Sequence, residues 1–291
     1  MKIEVKYMSG AGNLFTVADN RPISLNSRQW SALAPFLCSK NQYNNFSTEG
    51  LLVIDYASNA DFSAKFFNPD GSSEMMCGNG GRCAVMFAAD EHFFGMRRGT
   101  VEFMMAGSRY RSEMTNGGVR LHLPSPVQFQ PEIFIEAAGK NIRAGFVDVS
   151  SQHLVVRADL LVEISQHNFY DKNLDDLFLE LRHLEKFKPG GINVNLYLPV
   201  DKNKIYLRTF ERGVEAETGA CGTGAISTAL VSANAGETRL PTVVVPPSRK
   251  PLRIEIRGVI PNAIEEIVLE GPAEYIGSDI IEIDEKLINE E

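Results

Sequence analysis

Residues 1–8, MKIEVKYM, alternate charged and apolar side chains, the period-two pattern of a half-buried strand. A second strand is predicted over 14–19, after the turn Gly10-Ala11-Gly12-Asn13. Apolar positions then recur at helical spacing over 27–39, with a kink expected at Pro35. Strands are predicted at 51–56 and 63–68, the second ending in the turn Asn68-Pro69-Asp70-Gly71. A helix of mostly apolar or small residues follows at about 78–91. Residues 100–114 and 119–123 read as strands joined at Asn116-Gly117-Gly118, and Pro124 and Pro126 read as a linker. Further on, strands are predicted near 142–148 and 153–157. An amphipathic helix is predicted over 173–187, with Leu174, Leu177, Phe178, Leu181, Leu184 and Phe187 on one face. Strands at 193–198 and 204–210 lead to a second largely apolar helix at about 222–235. The chain closes with strands near 242–245, 252–257, 264–270 and 273–283.

The order of these elements repeats. In each half a strand ends in polar residues, a turn follows, and Cys-Gly-x-Gly opens a helix apolar on most sides. Such a helix must be wrapped by other structure. The fold class that satisfies this is α+β, with two pseudo-symmetric halves, each a curved, mainly antiparallel sheet around a central apolar helix.

Composition narrows the function. With 44% hydrophobic and 23% charged residues the 291-residue chain has a globular profile, and no apolar run reaches the roughly 20 residues of a membrane span. The alternating start argues for a strand and against a signal peptide, which places the protein in the cytoplasm. The net charge of −8, without a basic stripe, argues against nucleic-acid binding. Acidic residues at 282, 284, 285, 290 and 291 read as a solvated end. Four cysteines in such a chain predict free thiols, neither a disulfide framework nor a zinc site. Cys38 and Cys83 fall on apolar helical positions and read as core. Gly10-Ala11-Gly12 lacks the third glycine of a dinucleotide fingerprint, since Phe15 stands there.

Cys77 and Cys221 invite a chemical reading. A helix N-terminus carries unpaired N–H groups and partial positive charge, so a cysteine held there is expected to have a pKa lowered from about 8.5. The following glycines let a ligand approach the backbone, and the same N–H groups accept a carboxylate. If two such turns faced one substrate, one sulfur could remove a proton from carbon and the other return it on the opposite face. That is stereoinversion, and it needs no organic cofactor.

The segments Ser9-Gly-Ala-Gly-Asn13, Phe67-Asn-Pro-Asp-Gly-Ser72, Met76-Cys-Gly-Asn-Gly-Gly-Arg-Cys83, Asn193-Val194, Arg208-Thr-Phe-Glu-Arg-Gly-Val214 and Ala220-Cys-Gly-Thr-Gly-Ala225 resemble, in order, the diaminopimelate epimerase family. The resemblance implies a cofactor-independent epimerase interconverting LL- and meso-diaminopimelate, in lysine and cell-wall precursor biosynthesis. It makes Cys77 and Cys221 the acid–base pair, tuned by His153 and Glu211. It puts Asn13, Asn68, Gly78, Asn79, Ser151, Asn193, Glu211, Arg212, Gly222 and Thr223 around the substrate. It implies an N-terminal half, 1–123, completed by strands at 272–291, and a C-terminal half, 124–271; a homodimer is compatible with it. The chain departs from the family pattern at Ser9 and Leu14, which replace the outer residues of His-Gly-x-Gly-Asn-Asp, and at Ser151, which replaces the Asn of Gly-Asn-Pro-His. The loop between Glu-Arg-Gly and Cys221 is one residue longer than usual and carries Glu215 and Glu217.

Two rival readings keep part of this pattern. A racemase of another amino acid, such as histidine, would use the same two thiols. A non-catalytic small-molecule binder or thiol redox sensor would use the fold without the proton transfer. Arg82 is open to pairing with a carboxylate. His92, His122, His167 and His183 read as surface or structural, and Trp30 as packing.

Overall fold

The computed structural model describes residues 1–39, 46–73, 76–94, 99–284 and 286–289. Residues 285, 290 and 291 of the acidic tail lie outside it. The chain divides into two compact units, Met1–His122 with Glu270–Glu291, and Leu123–Leu269.

In the first unit, β1 (Lys2–Gly10) and β2 (Asn13–Asp19) form a hairpin, and α1 (Ser27–Cys38) crosses to β3 (Gly50–Asp55). Next come β4 (Phe62–Phe67), α2 (Gly78–Asp90), β5 (Val101–Met105), β6 (Ser108–Thr115) and β7 (Gly118–Pro124). The second unit runs β8 (Gln128–Ala137), β9 (Lys140–Asp148), β10 (Gln152–Arg157), α3 (Asp175–Arg182), β11 (Asn193–Asp201), β12 (Lys204–Glu211), β13 (Ala216–Glu217), α4 (Gly222–Asn234), β14 (Thr242–Val245), β15 (Leu252–Val259) and β16 (Ala263–Gly271). The chain returns to the first unit with β17 (Glu274–Glu282), paired antiparallel with β1, and the short α5 (Lys286–Asn289).

Both units use one pairing scheme. Across the first, β17–β1 and β1–β2 are antiparallel, β2–β3 parallel, β3–β4 antiparallel, β4–β5 parallel and β5–β6 antiparallel. Across the second, β8–β9 and β9–β10 are antiparallel, β10–β11 parallel, β11–β12 antiparallel, β12–β14 parallel and β14–β15 antiparallel. Each parallel pair needs a crossover, and the crossovers carry the helices: α1 and α2 in the first unit, α3 and α4 in the second. Helix α2 packs on β1 to β5, and α4 on β8 to β12, β14 and β15. Their burial on several sides follows, including Cys83, Ala84, Val85, Phe87 and Ala88 in α2 and the whole run Ala225–Ser232 in α4.

The structure differs from the sequence reading in three places. The predicted strand at 100–114 is a hairpin, β5–β6, turning at Ala106 (φ 48°) and Gly107 (φ 73°); Ala-Gly lacks the Asn-Gly or Asp-Gly signal of such turns. The predicted linker is followed at once by β8, whose alternation is interrupted by Pro131 and by a register shift between Gln130 and Ile133. The helix predicted over 173–187 stops at Arg182, and a 3₁₀ turn follows at Glu185–Phe187. Leu184 and Phe187 still pack on the core, because a three-residue turn keeps nearly the same apolar spacing.

Candidate active site

The pairing scheme gathers residues that are remote in sequence. Because β4 runs antiparallel to β3, the end of β4 lies beside the starts of β3 and β2, where α2 also begins. The same holds for β12, β11, β10 and α4. Asn13 therefore opens β2, Asn68 follows β4, and Cys77 caps α2. His153 sits opposite Asn193 in the β10–β11 register, Val194 opposite Phe210, and Glu211 ends β12 ahead of Cys221. The hairpin turns at this end, before β2 and β10, hold a non-glycine residue in the left-handed region, Ala11 (φ 59°) and Ser150 (φ 77°).

Each helix is capped by its cysteine. Cys77 has φ −114° and ψ 109°, and its sulfur accepts the Gly80 N–H at 3.3 Å. Cys221 has φ −120° and ψ 115°, and its sulfur accepts the Gly224 N–H at 3.4 Å. Sulfur thus takes the place of the usual N-cap oxygen. By helix geometry the amides of Gly78, Asn79, Gly222 and Thr223 have no acceptor within their own helix.

In the first unit, Gly10 lets the end of β1 touch the mouth of α2; a Cβ there would lie 2.4 Å from the Asn79 carbonyl oxygen. The Asn13 amide donates to the Glu49 carboxylate, while its buried Oδ1 has no hydrogen-bond partner among the described residues. Asn68 Nδ2 donates to Ser72 Oγ at 2.8 Å. Arg82 is fully buried, yet no carboxylate pairs with it among the described residues. It donates to Asn79 Oδ1 at 2.7 Å, the Gly78 carbonyl at 3.3 Å and the Pro272 carbonyl at 3.4 Å. Burial pulls its guanidinium down to about 10, against the opposing influence of Cys83 and Cys77. Cys83 and Cys38 are core residues, and burial pushes the Cys38 thiol up to about 11.

In the second unit, His153 is fully buried and burial pushes it down to about 3, so the ring is neutral. Its Nε2 lies 2.8 Å from Ser151 Oγ and 2.9 Å from Thr223 Oγ1, and its Nδ1 lies 3.0 Å from Asn195 Nδ2. Thr223 Oγ1 in turn lies 3.5 Å from Cys221 Sγ. The Cys221 thiol is raised well above its ordinary value, first by burial and then by the Glu211 carboxylate, to which it donates. The expectation of a lowered pKa is corrected at this residue: the thiol of a cysteine only 7% exposed, beside a carboxylate, loses more in ionising than the helix N-terminus returns. Burial also raises Glu211, with Thr218 and Cys221 donating to it.

Asn193 is engaged by the fold. Its Nδ2 donates to the Gln152 carbonyl at 2.7 Å, and its Oδ1 accepts the Arg212 N–H at 2.8 Å. The Arg212 guanidinium is exposed and pairs with no carboxylate among the described residues; its Nη1 reaches the Gly191 carbonyl at 3.5 Å. The loop between Arg212 and Cys221 is pinned by its own acidic residues. Glu215 takes Arg182 through two hydrogen bonds, at 2.7 and 3.2 Å, and Glu217 takes the buried Arg208. Sequence reasoning missed Glu49, Asn195 and Thr209. The alternation Asn193-Val194-Asn195 was the available signal for Asn195, a buried polar side chain in step with Asn193.

The protein-family model described as diaminopimelate epimerase matches residues 5–120 and 146–276. The chain is 35% identical over 278 residues to a diaminopimelate epimerase of Chlorobaculum tepidum, covering 92% of this chain and 97% of that protein. It is 34% identical over 233 residues to one of Aquifex aeolicus, covering 77% and 79%. Among solved structures, a hydroxyproline epimerase from Agrobacterium vitis superposes with a TM-score of 0.68 at 14% identity, covering 96% and 92%, a likeness that speaks for the fold alone. The match over both cysteine turns and most of the chain makes this protein a member of the diaminopimelate epimerase family.

Proposed function

We propose that the protein is a diaminopimelate epimerase that works with two cysteines and no cofactor. The observation that carries this reading is the pair of near-identical cysteine caps, each opening a buried helix, in a chain of this family. One sulfur, as thiolate, removes the α-proton of the substrate; the other, as thiol, delivers a proton to the opposite face, and the roles exchange in the reverse direction. The α-carbon is a weak acid, so the charge that develops on the reacting carboxylate needs fixed dipoles. The amides of Gly78, Asn79, Gly222 and Thr223, at two helix N-termini, supply them.

Arg212 suits a substrate carboxylate, since its guanidinium is exposed and free of acidic partners among the described residues. The unpartnered Asn13 Oδ1 suits a substrate ammonium, and Asn68 adds a polar contact. Glu211 takes the Cys221 proton's hydrogen bond at rest, which keeps that sulfur in the thiol form.

The test is conversion of LL-diaminopimelate to the meso form in deuterium oxide, with deuterium entering the α-carbon of product. Cys77→Ala and Cys221→Ala are each expected to slow turnover by about 10²- to 10⁴-fold, the range of a lost acid–base group. Full turnover by either variant removes the pair from the mechanism. Exchange with another amino acid and none with diaminopimelate would move the assignment to a different racemase.

A further inference from the structure

Ser151 stands where the family pattern has an asparagine, and its hydroxyl is already committed. It bonds His153 Nε2 at 2.8 Å and Thr223 Oγ1 at 3.2 Å. We propose that Ser151 is a positioning residue: together with His153 it forces the Thr223 hydroxyl to donate its proton to the Cys221 sulfur. The inference deepens the acid–base role proposed for Cys221 and rests on that reading.

The direction of every hydrogen in this group follows from one fixed point. Asn195 Nδ2 donates to the Leu154 carbonyl at 3.0 Å, and only the nitrogen of an amide can do so. The same nitrogen lies 3.0 Å from His153 Nδ1, which must therefore accept. Thr209 Oγ1 donates to the other end of the amide, Asn195 Oδ1, at 3.0 Å. A neutral imidazole that accepts at Nδ1 carries its hydrogen on Nε2. Nε2 thus donates toward the two hydroxyls it touches, Ser151 and Thr223. Ser151 cannot donate back to Nε2, so its proton goes to Thr223 Oγ1. Thr223 then receives on its oxygen, and its own proton has one protein acceptor left among the described residues, Cys221 Sγ at 3.5 Å. The opposite orientation, Thr223 donating to Ser151, leaves the Ser151 proton with no protein acceptor among the described residues.

The consequence is a sulfur with two donors aimed at it, the Thr223 hydroxyl and the Gly224 N–H. Both favour the thiolate. The Glu211 carboxylate faces the same sulfur and opposes it. His153 is neutral and acts only through Thr223, and Arg212, the remaining charge, acts on His153. Cys221 is thus held as a thiol by burial and Glu211, yet has an oriented hydroxyl ready when it ionises. An asparagine at 151 would present an amide here, which accepts and donates through different atoms, in place of a hydroxyl that does both through one.

The experiment reads the thiolate directly and needs no turnover. In the full-length Cys77→Ser protein, the rate of iodoacetamide addition to Cys221 is followed by peptide mass spectrometry at fixed pH. For each unit of rise in thiol pKa the thiolate fraction falls about tenfold and its nucleophilicity rises about threefold, a net slowing of about threefold. Thr223→Val is expected to slow the reaction by about threefold or more, and Thr223→Ser to restore it. Ser151→Ala is expected to slow it by a smaller factor, and to add nothing in a Thr223→Val background, because the two act in series. An unchanged rate in Thr223→Val, or a Ser151→Ala effect that persists in the Thr223→Val background, overturns the proposal. Should Thr223→Val fail to fold by circular dichroism, Ser151→Ala decides alone: the rate must fall, and an unchanged or faster rate refutes it. Failure of the diaminopimelate assay with this pattern intact would sink the substrate assignment and leave the relay standing.

Discussion

At the scale of single residues, the two cysteines show how one local motif acquires two environments. Both sulfurs cap helices and accept one backbone N–H at nearly the same distance. Local geometry alone predicts equal acidity. The side chains brought in from β12 break that equality, because Glu211 sits half-buried against Cys221. Removing the charge while keeping the shape should reveal its share. Glu211→Gln is expected to lower the Cys221 thiol pKa, since the like charge that disfavours the thiolate is gone. Alkylation of Cys221 at about pH 8 should then quicken severalfold, even as the proposed epimerisation falls. A slower Cys221 reaction would mean that Glu211 favours the thiolate. The acidic residues of the longer loop have a different task. Glu215 and Glu217 each satisfy an arginine that is nearly buried, Arg182 or Arg208, and so anchor the segment that presents Glu211 and Arg212. Their presence was plain in the sequence; their partners, 33 and 9 positions away, were not.

At the scale of elements, the third residue of each buried helix separates two cases that look alike in sequence. Gly80 and Gly224 both stand three positions after the capping cysteine. A Cβ on Gly80 would meet the Leu52 methyl at 3.2 Å and the Cys77 sulfur at 3.4 Å, contacts that a small shift relieves. A Cβ on Gly224 would meet Asn195 Oδ1 at 2.4 Å and Thr209 Oγ1 at 3.0 Å, both held in the buried network behind His153. Gly224→Ala is expected to cost about 1–3 kcal/mol through overpacking, and to reduce activity by displacing Asn195. Gly80→Ala should stay within about 1 kcal/mol of the parent, because the better helix former offsets the crowding. Urea unfolding of the two variants against the parent checks this, and equal losses would contradict the packing argument. The helices α1, α2 and α4 were legible because long stretches of apolar spacing or apolar content mark them. The β5–β6 hairpin and β8 were not, since Ala106-Gly107 is a weak turn signal and Pro131 interrupts the alternation.

At the scale of the whole molecule, folding and protonation are linked through His153. In the unfolded chain its pKa is about 6.5, and in the folded protein burial holds it near 3. Above pH 6.5 neither state binds the proton and the histidine makes no pH-dependent contribution. Below it the unfolded chain takes up a proton that the native protein refuses, so stability falls as the medium is acidified toward pH 3. Between pH 7 and pH 5 the loss from this one residue is about 2 kcal/mol. Denaturant midpoints at the two pH values should therefore drop more for the parent than for His153→Gln. Glu211, raised in the folded state, contributes with the opposite sign and is present in both proteins, so it cancels in the comparison. Equal drops in parent and variant would show that His153 is protonated in the native state at pH 5.

By itself the sequence determined the α+β class, the repeat of strand, turn and cysteine-capped helix, and the two thiols on which the chemistry is proposed to turn. These are written in short-range signals: apolar periodicity, glycine turns and a cap residue one position before its helix. Only the tertiary structure decided the order shared by the two strand schemes, which sets the ends of β12, β10 and β11 side by side and so joins Glu211, His153 and Asn195 around Cys221. It alone decided that this sulfur is buried enough for desolvation to outweigh the helix N-terminus, that Arg82 rests on carbonyls and an amide instead of a carboxylate, and that Ser151 turns toward His153. Strand pairing and burial are made by residues tens of positions apart, and a pKa is set by those neighbours, so no local window of the chain contains them.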